Sequence, residues 1–274
     1  MEDTVYHYCS IETFLNIIQY KTIRITDIEK SNDYLERVYI EKRIQDKLEK
    51  LIRDKQQGYK SILQHQNLNM LSENSKLYAC CFSEAEDLLS QWRAYSNNGK
   101  GVAIGFSKKI LMNLNVDEYG FTFKKICYDI IEQEKYIDRM VETIIEATKH
   151  KNIYGAYGEV FENKIAEYGC MKSPAFAEER EWRLCISFTP ECRINNEANF
   201  QDFHISPVKV FSRQEKLITY FDLNFSKIKD ELIKNIVIGP NCNVTKAEIE
   251  QCLRIYGINT DNMKVKYSEA SYRS

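Results

Sequence analysis

Two short apolar runs constrain the fold more than any other feature of the sequence. Residues 77–82 and 101–106 are almost entirely apolar, and each run is bounded by polar or turn-forming residues. A run of this length and composition is typical of a strand that is buried within a sheet. The chain must therefore supply further strands beside these two, and helices that cover them.

Alternating and β-branched segments supply the other strands. In these segments apolar and polar side chains alternate with a period of two, or aromatic and β-branched residues cluster over four or more positions. Each segment ends at polar, glycine or proline positions. The predicted strands cover residues 5–8, 22–26, 121–129, 181–188, 208–211 and 236–239.

Helix signals separate the strands. Ser10 stands at an N-cap position, and capping-box spacings predict helix starts at Asp33 with Glu36, at Ser83 with Glu86 and at Thr245 with Glu248. The helix that opens at Asp33 should extend to about residue 57. Residues 131–170 are mainly helical in pattern, and residues 97–99 form an Asn-Asn-Gly turn.

The irregular order of helices and closely spaced strands favours an α+β fold over a doubly wound one. We expect a central mixed or antiparallel sheet flanked by helices. No linker or repeat is evident, so residues 1–274 should form a single domain, with a helical insertion at about 33–75 and a helical segment at about 131–170.

Charge and hydropathy exclude several classes of protein. Thirty-eight basic and forty acidic residues give a net charge of −2, so the whole molecule does not attract nucleic acid or anionic membranes. The apolar runs are too short to cross a bilayer, and the acidic start is unlike a secretory signal. We therefore expect a cytoplasmic protein without membrane association.

The cysteines and histidines do not suggest a metal site. Nine cysteines are present, and most lie in apolar runs where cysteine behaves as a small buried residue, so we expect them to be reduced. No Cys-x-x-Cys occurs, and the four histidines lack ligand spacing. The sequence predicts no metal cofactor.

The first of three polar clusters is Tyr6-His7-Tyr8. It places a titratable ring in a strand, with its aromatic neighbours on the other side of the sheet. His7 is either a satisfied structural residue or a donor to a ligand hydroxyl.

The second cluster runs from Cys81 to Tyr95. Trp92 is expected in the core, whereas Arg93 and Tyr95 are less well explained by packing. A guanidinium binds phosphate or carboxylate, and an aromatic ring beside it can stack on a base or a nicotinamide. Ser83 and Cys81 are nucleophile candidates that would need His7 in space.

The third cluster, residues 178–183, is a charged run that leads into a strand. Alternation places Trp182 and Leu184 on one face and Glu181 and Arg183 on the other, away from the apolar core. A carboxylate there can stabilise a developing positive charge or hold a hydroxyl. A structural ion pair of Glu181 with Arg183 or Arg93 explains the same pattern.

Several motifs, taken in order, resemble the bacterial family labelled domain of unknown function 2971. The resemblance spans the whole chain and supports its domain boundary, but that family implies no activity. The motifs are Tyr-His-Tyr at 6–8, Asn-Asp at 32–33 with Glu36, Cys-Phe-Ser at 81–83, Leu-Ser-Gln-Trp-Arg-Ala-Tyr at 89–95, Gly-Lys-Gly-Val-Ala-Ile-Gly-Phe at 99–106, Glu-Arg-Glu-Trp-Arg-Leu at 179–184, Ile-Gly-Pro at 238–240 and Tyr-Arg at 272–273.

The order of His7, Ser83, Tyr95 and Glu181 also resembles ADP-ribosyltransferase-like folds. That resemblance implies His7 on the nicotinamide ribose, Ser83 or Tyr95 at the nicotinamide, and Glu181 on the ribose 2′-hydroxyl. The Ser-Thr-Ser motif of such proteins is missing, and Glu179 is a rival for the role of Glu181.

We consider two functions, of which the first follows from this resemblance and the second uses His7, Arg93 and Glu181 for binding alone. The first is an NAD-dependent ADP-ribosyltransferase or NAD glycohydrolase, a toxin or defence effector that acts on protein or nucleic acid. The second is a non-catalytic module that binds a nucleotide or a peptide. The catalytic candidates are His7, Tyr95 and Glu181, and the candidates for binding NAD are Tyr8, Ser83, Trp92, Arg93 and Arg183.

Overall fold

The structure is a computed structural model that describes most of the chain. It covers residues 3–28, 34–54, 76–114, 121–149, 169–188, 198–200, 202–213, 215–261 and 263–272. The Asn32-Asp33 motif, the insertion beyond Asp54, the predicted helical residues 150–168 and Arg273 lie outside the described residues.

Helices and strands alternate irregularly along the chain. The helices are α1 (Ile11–Tyr20), α2 (Tyr34–Asp54), α3 (Leu89–Tyr95), α4 (Lys108–Met112), α5 (Ile130–Lys149), α6 (Lys229–Leu232) and α7 (Lys246–Ile255), with 3₁₀ turns at Pro174–Glu179 and Ser226–Ile228. The strands are β1 (Thr4–Cys9), β2 (Thr22–Asp27), β3 (Lys76–Ser83), β4 (Val102–Ser107), β5 (Phe121–Lys125), β6 (Glu181–Phe188), β7 (Ala198–Phe200), β8 (Phe203–Ile205), β9 (Lys209–Arg213), β10 (Lys216–Asn224), β11 (Ile233–Ile238) and β12 (Lys264–Tyr267).

The described strands form one mixed sheet that divides at β3. Strand β6 pairs with β3 along its whole length, from Lys76 to Ser83. The opposite edge of β3 is shared, because Ser83 pairs with β1 while Tyr78 and Ala79 pair with β2. One wing continues through β4 and β11 to β12, and the other through β10 to β8 and β7. Only β11 and β12 are parallel among these pairs, and the predicted α+β class with a mixed sheet is confirmed.

Alternation along the strands gives the sheet two distinct faces around β3. We call the side that carries Val5, His7 and Phe82 the apolar face, and it packs on α1 and α7 in the main core. We call the side that carries Tyr6 and Ser83 the polar face. The polar face is covered by α2 and α5 around Leu77, Ala79 and Cys185, and by α3 through Trp92. Both faces of the predicted central strands are therefore buried.

Local signals predicted some boundaries and missed others. Thr245 and Glu248 form the predicted capping box, and residues 97–99 form the predicted turn, with φ angles of +51°, +60° and +78°. The predicted capping box at Ser83 and Glu86 is wrong. Helix α3 begins only at Leu89, because the Ser83 hydroxyl is used in a turn, where it accepts from the Ala85 amide. The strand predicted at 121–129 ends at Lys125.

No helix in the described ranges is long and apolar enough to cross a membrane.

Replacing Gly101 with alanine should destabilise the β1–β4 connection. A Cβ atom at residue 101 would lie 2.0 Å from the carbonyl oxygen of Cys9, so the backbone must shift. We expect a loss of about 1–3 kcal/mol in the free energy of unfolding, measured by urea denaturation.

Gly257 is the matched control. It has φ +71° but open space around it, so Gly257→Ala should cost about 1–2 kcal/mol through backbone strain alone. Asparagine tolerates this conformation, so Gly257→Asn should recover most of the loss, whereas Gly101→Asn should not. An unchanged urea midpoint for Gly101→Ala would contradict the steric argument.

Candidate functional site

A row of five residues crosses the polar face at one level of the sheet. The strand registers pair Asn235 with Gly105, Gly105 with Tyr6, Tyr6 with Ser83, and Ser83 with Glu181. Adjacent strands lie about 4.8 Å apart, so the four steps from β11 to β6 cover about 19 Å. The topology thus aligns polar positions that are far apart in sequence.

Glu181 lies at one end of this row, within a charge network that we define as Lys172, Glu179, Glu181 and Arg183. Arg183 donates to Glu181 at two points, from Nε to Oε1 at 2.6 Å and from Nη2 to Oε2 at 3.1 Å. Lys172 Nζ lies 2.6 Å from Glu179 Oε2 and 3.4 Å from Glu181 Oε2. The network contains two positive and two negative groups, so its charges balance.

The network is almost fully withdrawn from solvent. Lys172, Glu181 and Arg183 are 1%, 5% and 2% exposed, and the side chain of Glu179 is 14% exposed. Burial by itself raises the pKa of Glu181. The charge and hydrogen bonds of Arg183, together with Lys172, outweigh burial and hold that pKa below its ordinary value of 4.5. Glu181 is therefore ionised at neutral pH.

The segment from Gly169 to Arg180, which we call the covering segment, contains Lys172 and contacts Arg183. Arg183 Nη1 donates to the carbonyl oxygen of Gly169 at 2.9 Å. Lys172 Nζ lies 4.7 Å from the centre of the Phe176 ring, which is itself 44% exposed. The cations are thus bound by a carbonyl and an aromatic face in addition to the carboxylates.

Ser83 joins this covering segment to the sheet. Its hydroxyl donates to the carbonyl oxygen of Glu179 at 2.7 Å and accepts from the Ala85 amide at 3.1 Å. The carbonyl of Arg180, a residue in the left-handed region at φ +46°, accepts from the Glu84 amide at 3.0 Å. Two hydrogen bonds therefore hold the start of β6 against the end of β3.

Tyr128 and Cys81 surround Glu181 without adding charge. The Tyr128 hydroxyl accepts from the backbone amide of Glu181 at 3.2 Å, and burial raises the pKa of this phenol. The Cys81 thiol hydrogen-bonds the Glu181 carboxylate, and burial raises the pKa of the thiol well above its ordinary value. Cys81 is thus a protonated thiol and not an activated nucleophile.

Tyr6 and Asn235 lie towards the other end of the row. The Tyr6 hydroxyl donates to Glu86 Oε2 at 3.2 Å and accepts from Asn235 Nδ2 at 3.1 Å. Lys266 Nζ donates to the second oxygen of Glu86 at 2.5 Å. A Cβ atom at Gly105 would lie 2.0 Å from Asn235 Oδ1, so a glycine at this position leaves room for the side-chain amide of Asn235.

His7 lies on the apolar face, opposite to Glu181. Its Nδ1 is 2.9 Å from the carbonyl oxygen of Cys81, and its ring packs 5.8 Å from Phe82. Burial lowers the pKa of His7, so the ring is neutral and donates from Nδ1. The expectation that an imidazole and the Glu181 carboxylate line one hollow is therefore wrong, because residues 6 and 7 alternate across the strand.

Tyr8 and Trp92 form an aromatic pair under the loop at residues 84–88. Their ring centroids are 4.7 Å apart, edge to face. The Tyr8 hydroxyl donates to the carbonyl oxygen of Ala85 at 2.7 Å, and the Trp92 indole donates to Asp87 Oδ1 at 2.6 Å. Trp92 is fully buried, as expected for a core residue.

Arg93 and Tyr95 lie on the exposed side of α3. The Arg93 guanidinium lies 4.7 Å from the centre of the Tyr272 ring, and Tyr95 is 40% exposed. Tyr272 donates to Asn98 Oδ1 at 2.7 Å. Tyr272, the first residue of the Tyr-Arg motif, thus packs on the second predicted cluster.

The structure brings Ser83, Glu181 and Arg183 together and places Tyr8 and Trp92 beside the same face. It does not bring His7 to that face, and it pairs Arg93 with Tyr272 and not with Glu181. Sequence reasoning missed Lys172. Its signal was a lysine directly after the apolar pair Cys170-Met171, a position where a charge must be buried or paired. The catalytic and binding roles of these residues stay predictions.

One family model matches a part of the chain. Residues 91–184 match the family model described as a protein of unknown function, DUF2971. The matched stretch includes Lys172, Glu179, Glu181 and Arg183, and it confirms the resemblance over this part of the chain. No curated protein and no solved structure gives a significant match.

Replacing Glu181 with glutamine should destabilise the protein strongly at neutral pH. The change leaves Arg183 and Lys172 buried with one carboxylate fewer, and breaking a buried ion pair costs about 3–5 kcal/mol. Urea unfolding of the wild type and of Glu181→Gln at pH 7 measures the difference.

The difference should shrink as the pH falls. The pKa of Glu181 is lower in the folded than in the unfolded chain, so the folded state binds fewer protons. Its contribution is fully present above the unfolded pKa, and it is lost as the pH falls through the lowered folded pKa. The exposed Glu178→Gln variant is the control, which should match the wild type throughout. A gap between wild type and Glu181→Gln that is constant down to acid pH would refute this assignment.

Proposed function

We propose that the polar face binds NAD and that the chain is an NAD-dependent ADP-ribosyltransferase or NAD glycohydrolase. The observation that carries this proposal is the pairing of Ser83 with Glu181 on adjacent strands, with Tyr6 next in the same row. A hydroxyl, a phenol and an ionised carboxylate thereby face the same side of the sheet. This is the order that the resemblance to ADP-ribosyltransferase-like folds implies, with Tyr6 taking the place of His7 on the first strand.

The chemistry would be cleavage of the bond between the ribose C1′ and the nicotinamide nitrogen. As that bond breaks, positive charge develops on the ribose, and a nearby carboxylate stabilises it. Glu181 would accept a hydrogen bond from the ribose 2′-hydroxyl. Nicotinamide leaves with the bonding electrons, and water or an acceptor group attacks C1′ and loses a proton. An acceptor on protein or nucleic acid gives transfer, and water gives ADP-ribose.

Access to Glu181 requires movement of the covering segment. Glu181 is only 5% exposed and Lys172 contacts both Glu181 and Glu179, whereas residues 174–178 are exposed. Displacing Glu179 from Lys172 would leave the ammonium group beside Glu181, 3.4 Å from its Oε2. Arg93 and Tyr95, exposed on α3, would contact the outer part of the ligand.

A second candidate function is binding without turnover. Both oxygens of Glu181 are already occupied by Arg183, and Lys172 adds a third contact. A carboxylate held this firmly suits a structural ion pair that shapes a nucleotide-binding or peptide-binding surface. Arg93→Ala would then weaken ligand binding, and no substitution would reveal chemistry.

Glu181→Gln should abolish most of the nicotinamide release and retain NAD binding. Loss of a charge that stabilises the transition state costs about 10²–10³-fold in rate. Release is measured by chromatography of nicotinamide and binding by isothermal titration, at a temperature where circular dichroism shows both proteins folded.

Glu178→Gln is the matched control and should keep the wild-type rate, because this exposed neighbour is outside the network. Glu179→Gln separates the two rival carboxylates: a loss as large as that of Glu181→Gln would move the catalytic role to residue 179. Wild-type protein that binds NAD without releasing nicotinamide supports the second candidate. Wild-type protein that does neither overturns the proposal.

A further inference from the structure

Gln133 is a fully buried amide between helix α2 and the segment that carries Lys172. It lies on α5 at 0% exposure. Its Nε2 donates to the carbonyl oxygens of Cys127 at 2.7 Å and Lys172 at 2.8 Å. Its Oε1 accepts from Arg43 Nη1 at 2.5 Å and from the Tyr39 hydroxyl at 3.3 Å. All of its hydrogen-bonding capacity is therefore used.

Only a neutral primary amide satisfies this arrangement. Two carbonyl groups require donors, while a guanidinium and a phenol require an acceptor. Glutamate would turn an acceptor towards the two carbonyls. Leucine would remove the bond that each of the four partners makes to residue 133, although Cys127, Tyr39 and Arg43 keep other bonds. Since a buried polar group without a partner costs about 1–3 kcal/mol, the residue type at position 133 is strongly constrained.

The contacts of Gln133 fix the backbone from which Lys172 projects. The Lys172 amide donates to the carbonyl of Cys127 at 3.2 Å, and the Lys172 carbonyl accepts from Gln133. The backbone amide and carbonyl of Lys172 are thus both hydrogen-bonded, and Gln133 binds the Cys127 carbonyl as well as the Lys172 carbonyl. From this backbone position the side chain extends to Glu179 and Glu181.

Helix α2 contributes to the same anchor. Arg43 also pairs with Glu134 on α5, and Lys47 pairs with Glu134 and Asp138. Ile40, Ile44 and Leu48 are buried against the same core as Cys170 and Met171. A shift of α2 along α5 would move Tyr39 and Arg43, which donate to Gln133 Oε1. It would thereby change the position of Gln133 and of the Lys172 carbonyl that Gln133 binds.

We infer that Gln133 is a positioning residue, which aims the Lys172 ammonium at the two carboxylates and couples helix α2 to the charge network. The coupling concerns the folded structure and stands apart from any reaction. Its consequence for catalysis rests on the proposed function, in which Glu181 stabilises the ribose cation.

A double-mutant cycle tests the coupling without an activity assay. Gln133→Leu and Lys172→Met are made singly and together, and the urea midpoint of each is measured. If Gln133 acts by aiming the ammonium, removing the ammonium should remove much of the effect of Gln133→Leu, so the double shift falls short of the sum. If Gln133 merely fills the core, the two shifts add, which overturns the inference. Should Lys172→Met fail to fold, the cycle is run in a Glu179→Gln background, where losing the ammonium leaves no surplus carboxylate.

The kinetic arm shows whether the positioning matters for chemistry. Gln133→Leu should lower kcat for nicotinamide release about tenfold while KM for NAD changes less than about twofold, because a displaced group costs rate more than affinity. The exposed Gln45→Leu on α2 is the matched control and should leave both constants unchanged. An unchanged kcat in Gln133→Leu overturns the catalytic consequence. If the wild-type protein shows no turnover, the proposed function is wrong. The double-mutant cycle needs no activity, so it still tests whether Gln133 positions Lys172.

Discussion

The two-point ion pair between Glu181 and Arg183 is the interaction around which the polar face is organised. Both residues lie on β6, two positions apart, so strand alternation alone turns them to the same side. Once they are buried, every further contact must compensate for lost hydration. Lys172, the Gly169 carbonyl and the Cys81 thiol provide those contacts. The fold of residues 169–180 over the sheet is thus explained by the need to satisfy charges that the strand pattern buries.

The same requirement accounts for how distant segments are joined. The covering segment has no buried apolar residue in its 3₁₀ turn, so it is held by polar contacts. Ser83 binds its backbone at Glu179, and Glu84 binds Arg180. A segment held by a few hydrogen bonds and one ion pair can open at lower cost than a segment packed into the core. This distinguishes residues 173–180 from helix α5, which is buried against α2 along Ile137 and Met140.

The sequence predicted the strands and faces of the central sheet well, because period-two alternation and continuous apolar runs are local signals. The opposite placement of Trp182 and Glu181 is an example. The sequence did not predict the role of Lys172, because its partners Glu179 and Glu181 are brought to it by the 3₁₀ turn and by β6. It also did not predict strand β10, whose mixed pattern depends on pairing with β2 and β9. The grouping of His7 with Glu181 failed for a different reason. Two motifs of one fold need not face the same side of its sheet. A shift of one residue along β1, from Tyr6 to His7, moves the side chain to the opposite face.

That single-residue alternation also limits the chemistry open to the polar face. Tyr6, and not His7, shares the polar face with Glu181, so the His7 imidazole is not available there as a general base. ADP-ribosyl transfer tolerates this absence, since its barrier is lowered mainly by charge stabilisation at the ribose and less by proton transfer. Hydrolytic mechanisms that need an activated serine or cysteine do not tolerate it, because Cys81 is held as a neutral thiol and Ser83 donates its proton to a carbonyl. For Ser83, Cys81 and Glu181 the roles that remain are therefore binding and electrostatic stabilisation, which both candidate functions use.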